Sequence, residues 1–241
     1  MESMRKIEAV KPVAPYLGGI FLRRERIPAA EVINDYNKEV SNFFRVLQRH
    51  YVPFIEMIRW QITTRAEFER LTATNPATLT DLERAARFLY LQKTAFGGKP
   101  SSQHFGVSVS RSGRFNITNL IPMLEDLHSR LSGVTIECLD YKAFITRYDR
   151  ADTLFYLDPP YYGCEKDYGK ELFGRTEFDK MAALLKGIKG AFILSLNNVP
   201  EVRKIFAKFH IKEVETAYTV AGGHRQTGAR ELLISNRDLF T

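Results

Sequence analysis

Two consecutive prolines, Pro159 and Pro160, impose the strongest local constraint in this chain. Each fixes φ at about −65° and lacks an amide hydrogen, so neither a helix interior nor a central strand continues through them. They follow an apolar run, Thr153-Leu154-Phe155, that reads as a buried strand; Asp158 precedes them and Tyr161 follows. The expected arrangement is a strand feeding a rigid loop whose free carbonyls lie beside one acid and one aromatic ring. Such a loop suits a flat ring bearing an amino group. An exocyclic NH2 can donate one hydrogen bond to the Asp158 carboxylate and another to the Pro159 carbonyl, while Tyr161 stacks on the ring face. These acceptors draw density onto the nitrogen and aim its lone pair outward for in-line attack on a methyl group. Asp158, Pro159, Pro160 and Tyr161 are therefore the candidate catalytic residues, with a plain turn after a strand as the alternative. Tyr162 either walls the pocket or packs in the core.

The rest of the chain alternates helical and strand patterns. Val32-Ile33 ends at Asp35, and from Asn37 to about Trp60 the apolar residues Val40, Phe43, Phe44, Leu47 and Tyr51 recur at helical spacing. Trp60 is expected on a helix face in a structural role. Thr80-Asp81-Leu82-Glu83 is a capping-box pattern that opens a helix with Leu82, Ala85, Ala86 and Leu89 on one face. Leu120, Met123, Leu124, Leu127 and Leu131 form another such face. Between them, residues 97–102 and 108–113 are rich in turn formers and suggest a loop or hairpin. Further on, Val134 to Cys138 alternates like a half-buried strand ending at Asp140. Phe178, Met181, Leu184, Leu185 and Ile188 make a helix, and Ala191 to Leu194 a buried strand. Val214–Val220 and Arg230–Ser235 flank Gly222-Gly223 as an antiparallel pair. The pattern implies an α/β fold with a mostly parallel sheet and site residues at the carboxyl ends of strands. Residues 1–55 and 133–241 would form this domain, interrupted by a helical insert over 56–132.

Composition narrows the function classes. The 241 residues, 44% of them hydrophobic, suffice for one full core, and a net charge of +7 favours a polyanionic partner. A generally basic soluble protein is the alternative. The two cysteines, Cys138 and Cys164, have neither metal-ligand nor disulfide-framework spacing; they read as a small buried apolar side chain and a loop thiol in a reducing cytoplasm. Charges in Met1 to Val10, and the lack of any run near ~18 apolar residues, disfavour secretion and membrane insertion. Scattered His and Cys residues give no reason to expect a metal.

The tetrad and its setting resemble motif IV of the Dam-like adenine-N6 DNA methyltransferases. Tyr16-Leu17-Gly18-Gly19, Glu31 to Asp35, Phe96-Gly97-Gly98, Gly113 to Asn116, Asp158 to Tyr161 and Glu231 to Asn236 follow that group's segment order across nearly the whole chain. Only the tetrad is sharply specific. The resemblance implies a Rossmann-like methyltransferase sheet with a helical target-recognition insert, and S-adenosylmethionine as methyl donor. Tyr16, Gly18 and Gly19 would contact the donor, Asp35 its ribose hydroxyls and Asp140 its adenine amino group, with Asp158 beside it. For the glycines an ordinary turn, and for the two strand-end aspartates a helix cap, stand as equal readings. The substrate would be duplex DNA with its target adenine flipped out of the stack. Lys93, Lys99, Arg111 and Arg114 would clamp or read the duplex, and His224, Arg225 and Arg230 would grip phosphates near the flipped base. A solvated charged surface is the other reading for each. The resemblance leaves room for a companion restriction nuclease.

One departure from the family pattern is large. Dam-like enzymes carry two glycine-bearing segments near the N-terminus, separated by a helix and a strand. This chain has one, and Gly18-Gly19 passes at once into Ile20-Phe21-Leu22-Arg23-Arg24. The usual first strand is expected to be absent, unless Glu8 to Val13 supplies it. A methyltransferase-fold protein that binds DNA without efficient donor binding is thus one alternative. A cytosine-N4 enzyme is another, because the tetrad chemistry alone does not separate the two amino groups.

Overall fold

The computed structural model describes residues 5–6, 9, 19–24, 26–95, 104–106, 113–163, 173–219 and 226–239, with backbone alone at 5–6, 19–20, 26–27, 216–219 and 226–229. The chain divides into two compact units, Met1–Leu139 and Asp140–Thr241. Both mix helices and strands.

In the first unit a two-residue strand β1 (Arg5–Lys6) and a short helix α1 (Gly19–Arg23) precede strands β2 (Arg26–Ile27) and β3 (Val32–Asn34). Helices α2 (Lys38–Arg49), α3 (Tyr51–Ile58), α4 (Arg65–Ala73), α5 (Asp81–Thr94) and α6 (Ile117–Arg130) lead to β4 (Thr135–Glu137), which pairs with β3 in parallel. The strand-to-helix junction expected after Val32-Ile33 is present: Asn37 caps α2 by accepting from the Glu39 amide at 2.9 Å. The single helix expected over 37–60 is instead two. His50, at φ −127°, interrupts the helical backbone between α2 and α3, so Tyr51 starts a second axis. Trp60 falls in the turn after α3 and is 81% exposed, which corrects its assignment to a packed helix face. Thr80 and Glu83 form the full capping box that starts α5. One apolar core runs from Leu22 on α1 through Phe43, Leu47, Phe54, Leu89 and Leu124 to Leu131, and Ile33 and Ile136 of the β3–β4 pair pack on it.

The second unit starts with α7 (Tyr141–Tyr148) and continues through β5 (Leu154–Leu157), α8 (Arg175–Leu185), β6 (Ala191–Asn197), α9 (Pro200–Ile205), β7 (His210–Thr219) and β8 (Gln226–Ser235). Its four strands order as β5-β6-β8-β7. β5 and β6 are parallel, while β8 is antiparallel to both β6 and β7. The expected antiparallel C-terminal pair is present. The sheet is mixed rather than mostly parallel, because β8 returns between β6 and β7. Strand periodicity sends Phe155, Phe192, Leu194, Leu196, Leu232 and Ile234 into a core with Phe178, Met181 and Leu185 of α8. Gly190, at the entry to β6, lies against the backbone of the loop between α7 and β5, where a Cβ would meet the Thr153 carbonyl oxygen at 2.7 Å and that of Arg150 at 2.9 Å. Among the described residues no helix is long and apolar enough to cross a membrane.

Candidate active site

The same alternation that fills the core leaves a polar cluster on the opposite face of the second unit's sheet. Tyr156 and Asp158 on and beyond β5, Ser195 and Asn197 on β6, and Glu231 on β8 share one parity, and the register sets Glu231 directly opposite Asn197. All five lie toward the carboxyl ends of β5 and β6 or alongside them. Tyr161 closes the group, its hydroxyl donating to Glu231 Oε1. Ser195 Oγ donates to the other carboxylate oxygen of Glu231 at 3.3 Å, and Tyr156 shares a hydrogen bond with Ser195. Asp158 and Tyr161 of the tetrad are thus brought together around a third side chain that the sequence did not single out as a site residue.

Asn197 fixes the loop itself. Its Nδ2 donates to the Tyr162 carbonyl at 3.0 Å, and its Oδ1 accepts from the Tyr162 amide at 2.9 Å. The side-chain amide acts as one extra peptide unit that prolongs the parallel β5–β6 ladder past the prolines, which cannot donate. The first unit repeats the device. Asn34, at the end of β3, donates to the Leu139 carbonyl at 3.0 Å and accepts from the Leu139 amide at 2.8 Å, holding the segment after β4. Tyr162 itself turns into the core, its ring 5.2 Å from that of Phe178.

Electrostatics set the cluster's character. Asp158 reaches solvent, yet protein crowds it closely enough that desolvation, with the Glu231 charge second, pushes its carboxyl from 3.8 up to about 6. Burial first, then the negative charge of Asp158, pushes the Tyr156 phenol up to about 12. Tyr161 is pushed well above its ordinary value by burial, then by its bond to Glu231. A carboxyl titrating near neutrality is the kind of group that site chemistry uses.

The remaining candidates are placed as follows. Asp35 follows β3, and its Oδ1 accepts from the Asn37 amide at 2.8 Å; desolvation raises its pKa while this bond opposes the rise. Asp140 caps α7, accepting from the Lys142 amide at 2.9 Å. Both helix-start bonds thus exist, and each leaves the second carboxylate oxygen without a hydrogen bond among the described residues. Gly19 is the first residue of α1. Lys93 of α5 is half-buried, and its pKa is lowered by desolvation first and then by the positive charge of Arg114, so these two cations are neighbours. Arg114 also donates to the Ala95 carbonyl at 2.9 Å. Arg230 is exposed and lies 3.4 Å from Glu213. Tyr16, Gly18, Lys99, Arg111, His224 and Arg225, together with Cys164, lie outside the described residues. Cys138 lies just past the end of β4 and is exposed rather than buried.

The chain is similar to known proteins over most of its length. Similar proteins include the type II methyltransferase M1.LlaDCHI of Lactococcus lactis subsp. cremoris, 23% identical over 92% of this chain and 84% of that protein. M.MjaIII of Methanocaldococcus jannaschii is 24% identical over 94% and 88%. M.CviBI of Paramecium bursaria Chlorella virus NC1A is 22% identical over 78% and 72%. The family model described as D12 class N6 adenine-specific DNA methyltransferase matches residues 12–220, most of the chain, and the protein belongs to that family.

Proposed function

We propose that this chain transfers a methyl group from S-adenosylmethionine to the N6 amino group of adenine in duplex DNA, with Asp158 and the Pro159 carbonyl accepting the amino hydrogens. The observation that carries this reading is the carboxyl of Asp158, held at the end of a strand beside Glu231 and titrating at about 6. At neutral pH it is mostly ionised, so it accepts a hydrogen bond from the amine, and it remains basic enough to take the proton that the methylated nitrogen sheds. Tyr161, tethered through its hydroxyl, offers a ring face to the base. Flipping the base costs a few kcal/mol, which contacts to the duplex must offset. The neighbouring cations Lys93 and Arg114 support such contacts from segment 56–132, which we assign to target recognition within a Rossmann-like methyltransferase; Lys99, Arg111, His224, Arg225 and Arg230 extend the same role.

The donor, when bound, supplies a methyl group made electrophilic by its sulfonium. Asp35 would accept from the ribose hydroxyls and Asp140 from the adenine amino group, each through the carboxylate oxygen that its helix-start hydrogen bond leaves. Tyr16, Gly18 and Gly19 complete the proposed donor contacts. The type II names of the relatives support a partnership with a restriction nuclease, and the cysteine usage supports a cytoplasmic setting. Nucleoside analysis after incubation with duplex DNA and the donor tests the reading: N6-methyladenine is expected. N4-methylcytosine, or no methylated base together with no saturable donor binding, would overturn it.

A further inference from the structure

We infer that Glu231 is a positioning residue for this reaction, anchoring the Tyr161 phenol and setting the charge environment in which Asp158 works. The inference rests on the methyl-transfer reading but concerns a strand residue outside the Asp-Pro-Pro-Tyr loop.

Glu231 is 7% exposed. A buried carboxylate is costly unless hydrogen-bonded, and both oxygens are engaged, one by the Tyr161 hydroxyl and the other by that of Ser195. The loop is therefore held at two successive residues by two different means: Tyr161 by its side chain, through Glu231, and Tyr162 by its backbone, through Asn197. The tyrosine hydroxyl lies on the ring axis, so tethering it fixes the ring's direction through χ1 and leaves rotation about that axis to match an incoming base. Part of the ordering cost a free side chain would incur is thereby already met.

The charge of Glu231 matters separately from its hydrogen bonds. Among the described residues of this unit, the titratable groups facing Asp158 are Tyr156 from β5, Tyr161 from the loop and Glu231 from β8. β6 contributes Ser195 and Asn197, which carry no charge. Arg230, next along β8, is engaged with Glu213 of β7. Removing the negative charge at position 231 therefore makes Asp158 a weaker base, whereas removing only the tyrosine hydroxyl does not.

Carboxyl 13C NMR of the full chain labelled at aspartate, with Asp158→Asn for assignment, follows the Asp158 titration in wild type, Glu231→Gln and Tyr161→Phe. The same proteins are assayed for kcat and KM on duplex DNA against pH. In Glu231→Gln the Asp158 midpoint is expected to fall toward the ordinary carboxylate range, and the acid limb of kcat/KM to move down with it. In Tyr161→Phe the midpoint stays, while KM for DNA rises roughly tenfold from the lost charge-assisted bond. An unmoved Asp158 midpoint in Glu231→Gln overturns the inference. Should Glu231→Gln not fold, an unchanged KM in Tyr161→Phe overturns it instead. A wild type that titrates as described but never methylates adenine defeats the methyl-transfer reading alone, since the NMR comparison needs no turnover.

Discussion

Replacing Asn197 by alanine removes both hydrogen bonds that hold Tyr162, at 2.9 and 3.0 Å, while the Tyr161–Glu231 tether and the packing of the Tyr162 ring on Phe178 remain. Each such bond contributes about 1 kcal/mol net, so unfolding in urea should report a loss of about 2 kcal/mol for the second unit. The larger effect is expected on chemistry. A displacement of about 1 Å of a positioning element costs roughly 100-fold in rate, so single-turnover methyl transfer should fall by that order while donor affinity holds. Asn197→Asp keeps an acceptor for the Tyr162 amide but turns a second oxygen toward the Tyr162 carbonyl. It should restore the bond from the amide but not the one to the carbonyl, and its rate should stay well below wild type. Wild-type transfer in Asn197→Ala would refute the argument that this side-chain amide sets the loop.

Further expectations concern pH, packing and charge burial. Because the Asp158 carboxyl titrates at about 6, above the 3.8 of an unperturbed group, kcat/KM should rise as pH increases through about 6. The linked stability has the opposite sign: the raised folded pKa favours the protonated fold, and that contribution is lost between about pH 4 and 6, so Asp158→Asn should gain stability over wild type at pH 8 but not at pH 3, checked by denaturant titration. Gly190→Ala puts a Cβ into two carbonyl oxygens and should destabilise by about 1–3 kcal/mol, read in the same way. Arg130 and Glu31, with side chains 2% and 8% exposed, bond twice at 2.8 and 2.9 Å while the guanidinium stacks 3.9 Å over Phe21. Arg130→Ala leaves the buried Glu31 carboxylate to its longer contact with Arg24, at 3.6 Å, and should cost about 3 kcal/mol, and the apolar pair Arg130→Met with Glu31→Leu should recover most of it.

What was legible in the sequence follows from how local its physics is. The capping box at Thr80, the strand leading to Asp158 and the antiparallel C-terminal pair depend on neighbours or on short periodicity, and each is present, although the strand expected to be buried buries only Phe155 and leaves Leu154 exposed. The break at His50 is followed by Pro53, which lacks an amide hydrogen and so suits the first turn of a new helix, but the helical spacing of Val40, Phe43, Phe44, Leu47 and Tyr51 reads through it. Trp60, expected at the end of the same helical period, lies two residues past Ile58, the last buried position of α3, and stands in solvent. The Glu231 network needed register: nothing along the chain says that β8 lies beside β6 with Glu231 opposite Asn197. A partial signal was available, since Ser195 and Asn197 are polar residues of one parity in an otherwise apolar strand, the mark of a strand end facing something other than core.

Asp158 is the proposed group that holds and activates the target amine, and its direct test pairs two readouts on Asp158→Ala. Calorimetry should find S-adenosylmethionine bound as tightly as by wild type, while transfer of labelled methyl to adenine in duplex DNA falls by roughly 100-fold or more. Equal transfer by wild type and Asp158→Ala would contradict it.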